Sequence, residues 1–178
     1  MDPEIQQRFR TIVRETGIRP RRALEVGGLI GPKSLLRMPE LRRAERYVLN
    51  LRPMSSRKRI TAVTGNANHM DAFEDASFDL VLCNATLEHD MRFWLSLAEM
   101  QRVLEPGGLL VIGVPGFVKD TEHDRDRWTP TYRVHFHFDY YRFSEQAVRE
   151  VFFEHMERVE TSVVGMPPRI IGHGWKPG

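Results

Sequence analysis

Two apolar runs separated by a helix-length segment constrain the fold of this chain most. The first run, Phe78–Cys83, leads into polar residues, and the second, Leu109–Val114, follows the turn Pro106-Gly107-Gly108. Both runs are nearly continuous rather than alternating, which is typical of strands covered on both faces. Residues 91–104, which lie between them, carry apolar side chains at helical spacing. This order of elements predicts a mostly parallel α/β sheet.

The remaining sequence extends this pattern at both ends. Asp2 is a good helix cap and Pro3 a tolerated first helical residue, so a helix is predicted that ends at Gly17. Ser144 predicts the start of another helix, with Val148, Val151 and Phe152 on its inner face. Short helical turns are expected at 32–37 and 40–46, and further strands at 23–26, 47–49, 60–63, 158–164 and 169–172.

Length and composition limit the class of protein. A chain of 178 residues predicts a single domain, 1–178, and a net charge of +2 gives no reason to expect nucleic acid. We interpret the basic runs Arg42-Arg43 and Arg57-Lys58-Arg59 as solvated surface. Cys83, the single cysteine, excludes an intrachain disulfide. The sequence has no apolar stretch long enough for a membrane span and no signal-peptide pattern, so we expect a cytoplasmic protein.

Polar and glycine residues follow the predicted strands, where open α/β sheets bind ligands. The segments are Glu25-Val26-Gly27-Gly28 with Gly31, then Asn50, Gly65-Asn66-Ala67, and Asn84-Ala85-Thr86-Leu87-Glu88-His89. Together with Leu104-Glu105-Pro106-Gly107-Gly108, this series resembles the class I S-adenosylmethionine-dependent methyltransferases of the type-11 group. The resemblance covers about residues 20 to 115. It implies a Rossmann-like methyltransferase sheet of about seven strands, mostly parallel with an antiparallel last strand, and helices on both faces.

The resemblance also implies a set of cofactor contacts. Glu25 would interact with the cationic amino-acid end of S-adenosylmethionine, and Asn50 with the ribose hydroxyls. Asn66 and Ala67 would read the adenine edge, and the Asn84–Ala85 backbone would face the methionine part. Leu29, Asn50 and Asn66 depart from the family pattern, in which a glycine and two acidic residues are usual. The expected cofactor-binding residues are Glu25, Gly27, Gly28, Gly31, Asn50, Asn66, Ala67, Asn84 and Ala85.

The segment 115–143 is rich in histidine and aromatic residues and loses the regular pattern. We interpret it as a lid over the substrate, and the alternative is a surface crossover whose aromatics pack on the sheet. A hydroxyl acceptor needs a general base, for which His135, His137 and Tyr140 in this segment and His89 near the sheet are the candidates. His135, His137 and Asp139 share one face if extended, but no further ligand supports a metal, and we expect none.

Three functions are compatible with this sequence. The first is methyl transfer from S-adenosylmethionine to oxygen or nitrogen of a small-molecule acceptor, such as a sugar or another metabolite. Residues 84–87 do not read Asn-Pro-Pro-Tyr, the pattern of methyltransferases acting on adenine or glutamine, so no nucleic-acid substrate is expected. The second is a catalytically silent, methyltransferase-like binding or interaction domain. The third, a nicotinamide-dependent enzyme, lacks the Gly-x-Gly-x-x-Gly spacing.

Overall fold

A central seven-stranded sheet organises residues 2–119, 128–129 and 139–178, the ranges that this computed structural model describes. The strand order is β3-β2-β1-β4-β5-β7-β6, in which β1 to β5 are parallel and β7 runs antiparallel to both of its neighbours. The strands are β1 Arg22–Val26, β2 Glu45–Asn50, β3 Ile60–Thr64, β4 Phe78–Asn84, β5 Leu104–Pro115, β6 Glu157–Val164 and β7 Arg169–Trp175. A separate antiparallel ribbon pairs Val118–Lys119 with Trp128–Thr129. The predicted fold class is confirmed.

Helices cover both faces of the sheet. Helix α1, Pro3–Glu15, buries Phe9, Ile12 and Val13 on one face. Helix α2, Phe93–Val103, and the short helix α3, Glu145–Ala147, lie on the other, and α3 continues as a π-helical turn, Val148–Phe152. The predicted caps are present, since Asp2 accepts the Glu4 N–H and Ser144 accepts the Ala147 N–H. No helix in the described ranges has both the length and the apolar character that a bilayer crossing requires.

Two details of the helix predictions are wrong. Val151 is 51% exposed, whereas Val148 and Phe152 are buried, because the wider π-helical turn rotates Val151 away from the sheet. The helical turns predicted at 32–37 and 40–46 are longer than the 3-10 helices observed there, Leu35–Arg37 and Pro39–Leu41. A helix cannot reach residue 46, because β2 already begins at Glu45.

Neither the connection 51–59, between the neighbouring strands β2 and β3, nor the connection 65–77, which crosses from β3 past β2 and β1 to β4, contains a helix. Side chains of α2 stabilise the second one. The Met70 N–H donates to Glu99 Oε2 at 2.6 Å, and Arg102 donates to the carbonyls of Phe73 and Met70 at 3.0 and 3.2 Å. The Glu99–Arg102 pair therefore satisfies backbone groups that a crossover helix would otherwise bond internally.

Candidate functional site

The strand ends predicted to hold a ligand meet at one edge of the sheet, here called the carboxyl edge. The Gly27 N–H, after β1, donates to the Leu49 carbonyl of β2 at 2.8 Å. The Ala85 N–H, after β4, donates to the Gly113 carbonyl of β5 at 2.9 Å. Parallel pairing brings these ends together, and the backbone bonds hold the loops that follow them in fixed positions.

The glycine turn after β1 is tightly packed. Gly27 has φ +74°, and a Cβ there would lie 2.1 Å from the hydroxyl oxygen of Thr86. A Cβ on Gly28 would lie 2.4 Å from the Glu25 carboxyl carbon, whereas one on Gly31 would meet nothing within 4 Å. The first two glycines are thus required by sterics and the third is not. Thr86, which covers Gly27, was not singled out from the sequence, because no local pattern marks a contact between residues so far apart.

Glu25 braces the loop that follows it. The carboxylate is 4% exposed, accepts the Ser34 hydroxyl at 2.6 Å and accepts the Leu35 N–H at 3.3 Å. Ser34 in turn caps the 3-10 helix Leu35–Arg37 by accepting the Leu36 N–H. Burial raises the pKa of Glu25, and these hydrogen bonds oppose the rise only in part. The structure thus places this carboxylate beneath the glycine turn, where it positions residues 27–34.

We expect Glu25→Gln to remove part of the pH dependence of stability. A raised folded-state pKa means that the carboxyl's stability contribution is complete below its unfolded pKa, about 4.3, and is lost as pH rises through the folded value. Gln keeps the shape and never ionises, so the urea-unfolding free energy of the variant should rise relative to that of the wild type as the pH increases above the unfolded pKa. The control is Glu74→Gln at an exposed site, and its unfolding free energy should change with pH as that of the wild type does. A constant difference across pH for Glu25→Gln would contradict this.

Asn50 joins the end of β2 to the glycine turn. Its amide nitrogen donates to the carbonyls of Gly27 and Gly28, at 3.0 and 2.9 Å. Its Oδ1 accepts the Arg52 N–H at 2.9 Å. Both amide donors are therefore used within the chain, and one acceptor position on Oδ1 remains.

The loop after β3 carries Asn66, Ala67 and Asn68. Asn66 is exposed, and its Oδ1 accepts the Asn68 N–H at 3.0 Å, so its amide group faces outward from a local turn. Ala67 packs against the core. Asn68 donates to Asp90 Oδ2 at 2.7 Å and to Ser96 Oγ at 2.8 Å, which joins this loop to the loop after β4. The sequence did not predict that Asn68 and Asp90 connect these loops. A local feature that marks Asp90 is the turn before α2, in which its side chain accepts the Arg92 N–H.

The end of β4 contains two uncompensated polar atoms and one strained residue. Ala85 has φ +54°, a conformation that costs a non-glycine residue about 1 kcal/mol. Asn84 Oδ1 is buried without a hydrogen-bond partner, and so is Glu88 Oε2. The other Glu88 oxygen accepts Arg169 Nη1 at 3.2 Å. Burial raises the pKa of Glu88, and the nearby Arg169 cation opposes the rise. Buried polar atoms without partners are uncommon in proteins, so this strand end is a candidate part of the site.

The segment after the predicted lid returns to this edge. The Glu88 carbonyl accepts the Tyr140 N–H at 2.7 Å and the Tyr141 N–H at 3.3 Å. Tyr140, which is exposed, therefore lies next to the half-buried His89. His135 and His137 lie outside the described residues. Asp139 forms a buried ion pair with Arg142, and no cluster of metal-binding side chains is found among the described residues.

Comparisons with known proteins agree with this geometry. Residues 39–112 match the family model of the type-11 methyltransferase domain. A search of curated protein sequences gives no significant match. Among solved structures, 1,6-didemethyltoxoflavin N1-methyltransferase of Burkholderia thailandensis, bound to S-adenosylhomocysteine, is 19% identical with a TM-score of 0.70, over 97% of this chain and 78% of that one.

Two further structures show how widely the fold occurs. Phosphoethanolamine N-methyltransferase 2 of Haemonchus contortus, in complex with S-adenosyl-L-methionine, is 14% identical with a TM-score of 0.70, over 97% of this chain but only 53% of that one. The [4+2]-cyclase SpnF is 17% identical with a TM-score of 0.69, over 96% and 80%. At these identities the likeness concerns the fold. Residues 39–112 thus resemble the type-11 methyltransferase domain, and the chain has the fold of the class I S-adenosylmethionine-dependent methyltransferases.

Proposed function

We propose that this chain transfers a methyl group from S-adenosylmethionine to a small-molecule acceptor at the carboxyl edge. The observation that carries the proposal is the junction of three strand ends: the glycine turn after β1, Asn50 bonded to it, and Asn84–Ala85 beside it. The family match supports it, because it spans β2 to β4 and most of β5. When bound, the cofactor supplies an activated methyl group on a sulfonium.

The residues at this edge fit such a cofactor. Asn84 Oδ1 is a buried acceptor without a partner, and the ammonium group of an amino-acid moiety is rich in donors. Asn50 retains one acceptor position for a ribose hydroxyl. Leu51, directly after it, is 70% exposed and offers an apolar surface to a purine ring, near the outward amide of Asn66. At Gly31 an added Cβ would meet nothing within 4 Å, so the backbone there is open to close approach, while Glu25 fixes the loop that contains it.

The proton chemistry is assigned to residues next to the turn Leu87–His89. His89 and Tyr140 lie in adjacent segments because of the Tyr140–Glu88 backbone bond. We place the acceptor beside these two side chains, and His135 and His137 remain further candidate bases outside the described residues. For an oxygen acceptor, the His89 imidazole accepts the hydroxyl proton. A neutral amine acceptor needs no base before attack, and both cofactor-bound relatives are named N-methyltransferases, which favours nitrogen.

Calorimetry with S-adenosylmethionine and S-adenosylhomocysteine tests this assignment, and we expect both to bind. Asn84→Leu should weaken both about tenfold or more, because a charge-assisted hydrogen bond is lost. The same change should leave the ligand-free protein as stable as the wild type or more so, since it removes a buried unsatisfied acceptor. Gln146→Ala, an exposed amide on α3, is the control and should bind as the wild type. Absence of binding by both compounds at millimolar concentration would reject the function.

A second candidate is a binding domain of this fold that does not catalyse. Asn50 favours it, because both amide donors are committed to the glycine carbonyls. The occurrence of this fold in a protein named as a cyclase agrees with it. The two candidates differ in transfer of labelled methyl from S-adenosylmethionine to a metabolite mixture: incorporation that Asn84→Leu weakens excludes the silent domain. Cofactor binding without incorporation favours it.

A further inference from the structure

Two basic runs that lie far apart in the sequence meet at the opposite edge of the sheet. Arg43 precedes β2, and Lys58-Arg59 precede β3. These strands are parallel neighbours with Arg46 opposite Ile60, so the residues before them lie at the same amino edge. Electrostatic repulsion also links Arg46 to Arg59 and Arg37. We call Arg37, Arg43, Arg46, Lys58 and Arg59 the amino-edge cluster.

The amino-edge cluster surrounds a concave surface. Arg43, Arg46, Lys58 and Arg59 line a cavity of about 420 Å³ together with Tyr47 and Thr61. The connection 51–59 forms no helix, and its last two residues, Lys58 and Arg59, line the cavity. Its volume is in the range of sites that bind small molecules.

The positive charge at this cavity is not neutralised by the protein. No member of the amino-edge cluster forms an ion pair in the part of the chain that the structure describes. Glu45, the carboxylate at the cavity, is paired with Arg22 at 3.6 Å and accepts the Tyr47 hydroxyl at 3.2 Å. Burial lowers the pKa of Arg46, and the charges of Arg59 and Arg37 lower it further. An anion at the cavity would relieve this repulsion.

The side chains that surround the cavity start from fixed positions. Arg46 Nη1 donates to the Leu36 carbonyl at 3.0 Å, while its Nε is buried without a partner. Two backbone bonds between Arg57 and Ile60, at 3.1 and 3.0 Å, close a tight turn with Lys58 and Arg59 at its tip. Lys58 has φ +55°, a backbone conformation that is strained for any residue other than glycine. Such strain is common where a loop holds ligand-binding groups.

We propose that the amino-edge cluster binds a small molecule that carries two phosphate groups. Four cations line the cavity, and a phosphate monoester carries about −1.5 to −2 charges near neutral pH, so two phosphates match them. Duplex or single-stranded nucleic acid fits less well, because its charge extends along a backbone while these cations surround a single concavity. β2 separates this site from the proposed cofactor site by roughly 16 Å, so the two ligands do not touch.

Calorimetry of the full chain with inorganic pyrophosphate tests the proposal. We expect saturable binding that weakens with salt, and a loss of about tenfold or more in Arg59→Ala, since one charge-assisted contact disappears. Arg46→Met, which keeps a similar stem, should show a similar loss. Arg19→Ala is the matched control: Arg19 is exposed and without an ion pair in the described residues, and its loss changes the net charge equally. It should bind within about twofold of the wild type.

Each other outcome would overturn the proposal. No heat with pyrophosphate at millimolar concentration would remove the site. Equal weakening in Arg19→Ala and Arg59→Ala would mean that the net charge alone attracts the anion. A single-stranded oligonucleotide that binds where pyrophosphate does not would identify a nucleic-acid surface instead. Circular dichroism of each variant checks that the fold is intact, and cofactor binding is a separate measurement, so failure here leaves the proposed methyl transfer unaffected.

Discussion

Replacement of Arg102 by leucine is expected to lower the free energy of unfolding by about 3 kcal/mol. Arg102 donates to the Met70 and Phe73 carbonyls and pairs with Glu99 and Asp75. Leucine keeps most of the packing of the stem but leaves both carbonyls without this donor. It also leaves Glu99, whose side chain is only 20% exposed, without its cation. The side chain of Arg102 is itself partly exposed, so the estimate is at the lower end for a buried pair.

Urea unfolding of matched variants isolates this effect. Arg149→Leu removes a more exposed ion pair, with Glu145, from a helix and should cost only about 0.5 kcal/mol. Arg102→Lys keeps the charge but not the planar fork, so we expect a loss between the two. Amide hydrogens in residues 65–77 should exchange faster in Arg102→Leu, because that connection has no helix of its own. A loss as small as that of Arg149→Leu would mean that the connection is held by packing alone.

The strands were predictable because their signal is local. An apolar run such as Phe78–Cys83 requires cover on both faces, and the structure buries Phe78 and Leu80 to Cys83 completely. The cap at Asp2 is likewise a property of adjacent residues. Where the local geometry departs from the ideal period, the same reasoning fails. Val151 follows the spacing of an α-helix in the sequence, but the π-helical turn moves it to the surface.

The sequence predicted where the candidate site lies, but not which contacts its side chains make. Parallel pairing ensures that residues after β1, β2 and β4 share an edge, so Gly27, Asn50 and Asn84 were found from their positions. The hydrogen-bond partner of each side chain depends on distances between loops. Thus Glu25 bonds to Ser34, and Asn50 bonds to the glycine carbonyls. The basic runs illustrate the same limit, since each alone resembles solvated surface and only the register of β2 against β3 brings them together.

Gly27→Ala is expected to lower the free energy of unfolding by about 3 kcal/mol and to abolish cofactor binding. Two costs add at this position. The φ of +74° strains any residue with a Cβ, by about 1 to 2 kcal/mol. The new Cβ would also lie 2.1 Å from Thr86 Oγ1 and 2.8 Å from Thr86 Cβ, so a side-chain rotation alone does not relieve the contact. The β4 loop must move away from the glycine turn, which disrupts the carboxyl edge.

Other glycines of the chain separate the two costs. Gly17 has φ +68° with nothing within 4 Å of a new Cβ, so Gly17→Ala should cost only the backbone strain, about 1 kcal/mol. Gly31 has neither a positive φ nor a close neighbour, so Gly31→Ala should lie within about 0.5 kcal/mol of the wild type. In urea unfolding, the loss of unfolding free energy should therefore be much larger for Gly27→Ala than for Gly17→Ala, and larger for Gly17→Ala than for Gly31→Ala.

A double variant shows whether contact with Thr86 causes the larger loss of stability in Gly27→Ala than in Gly17→Ala. Thr86→Ala removes the hydroxyl and methyl groups that a Cβ on residue 27 would meet at 2.1 and 2.4 Å. In Gly27→Ala/Thr86→Ala the strain remains while most of the overlap disappears, so the loss should be smaller than the sum of the single losses by about 1 to 2 kcal/mol. Additive losses would mean that backbone strain accounts for the whole effect. The contact between the β1 and β4 loops would then not be what requires glycine at this position.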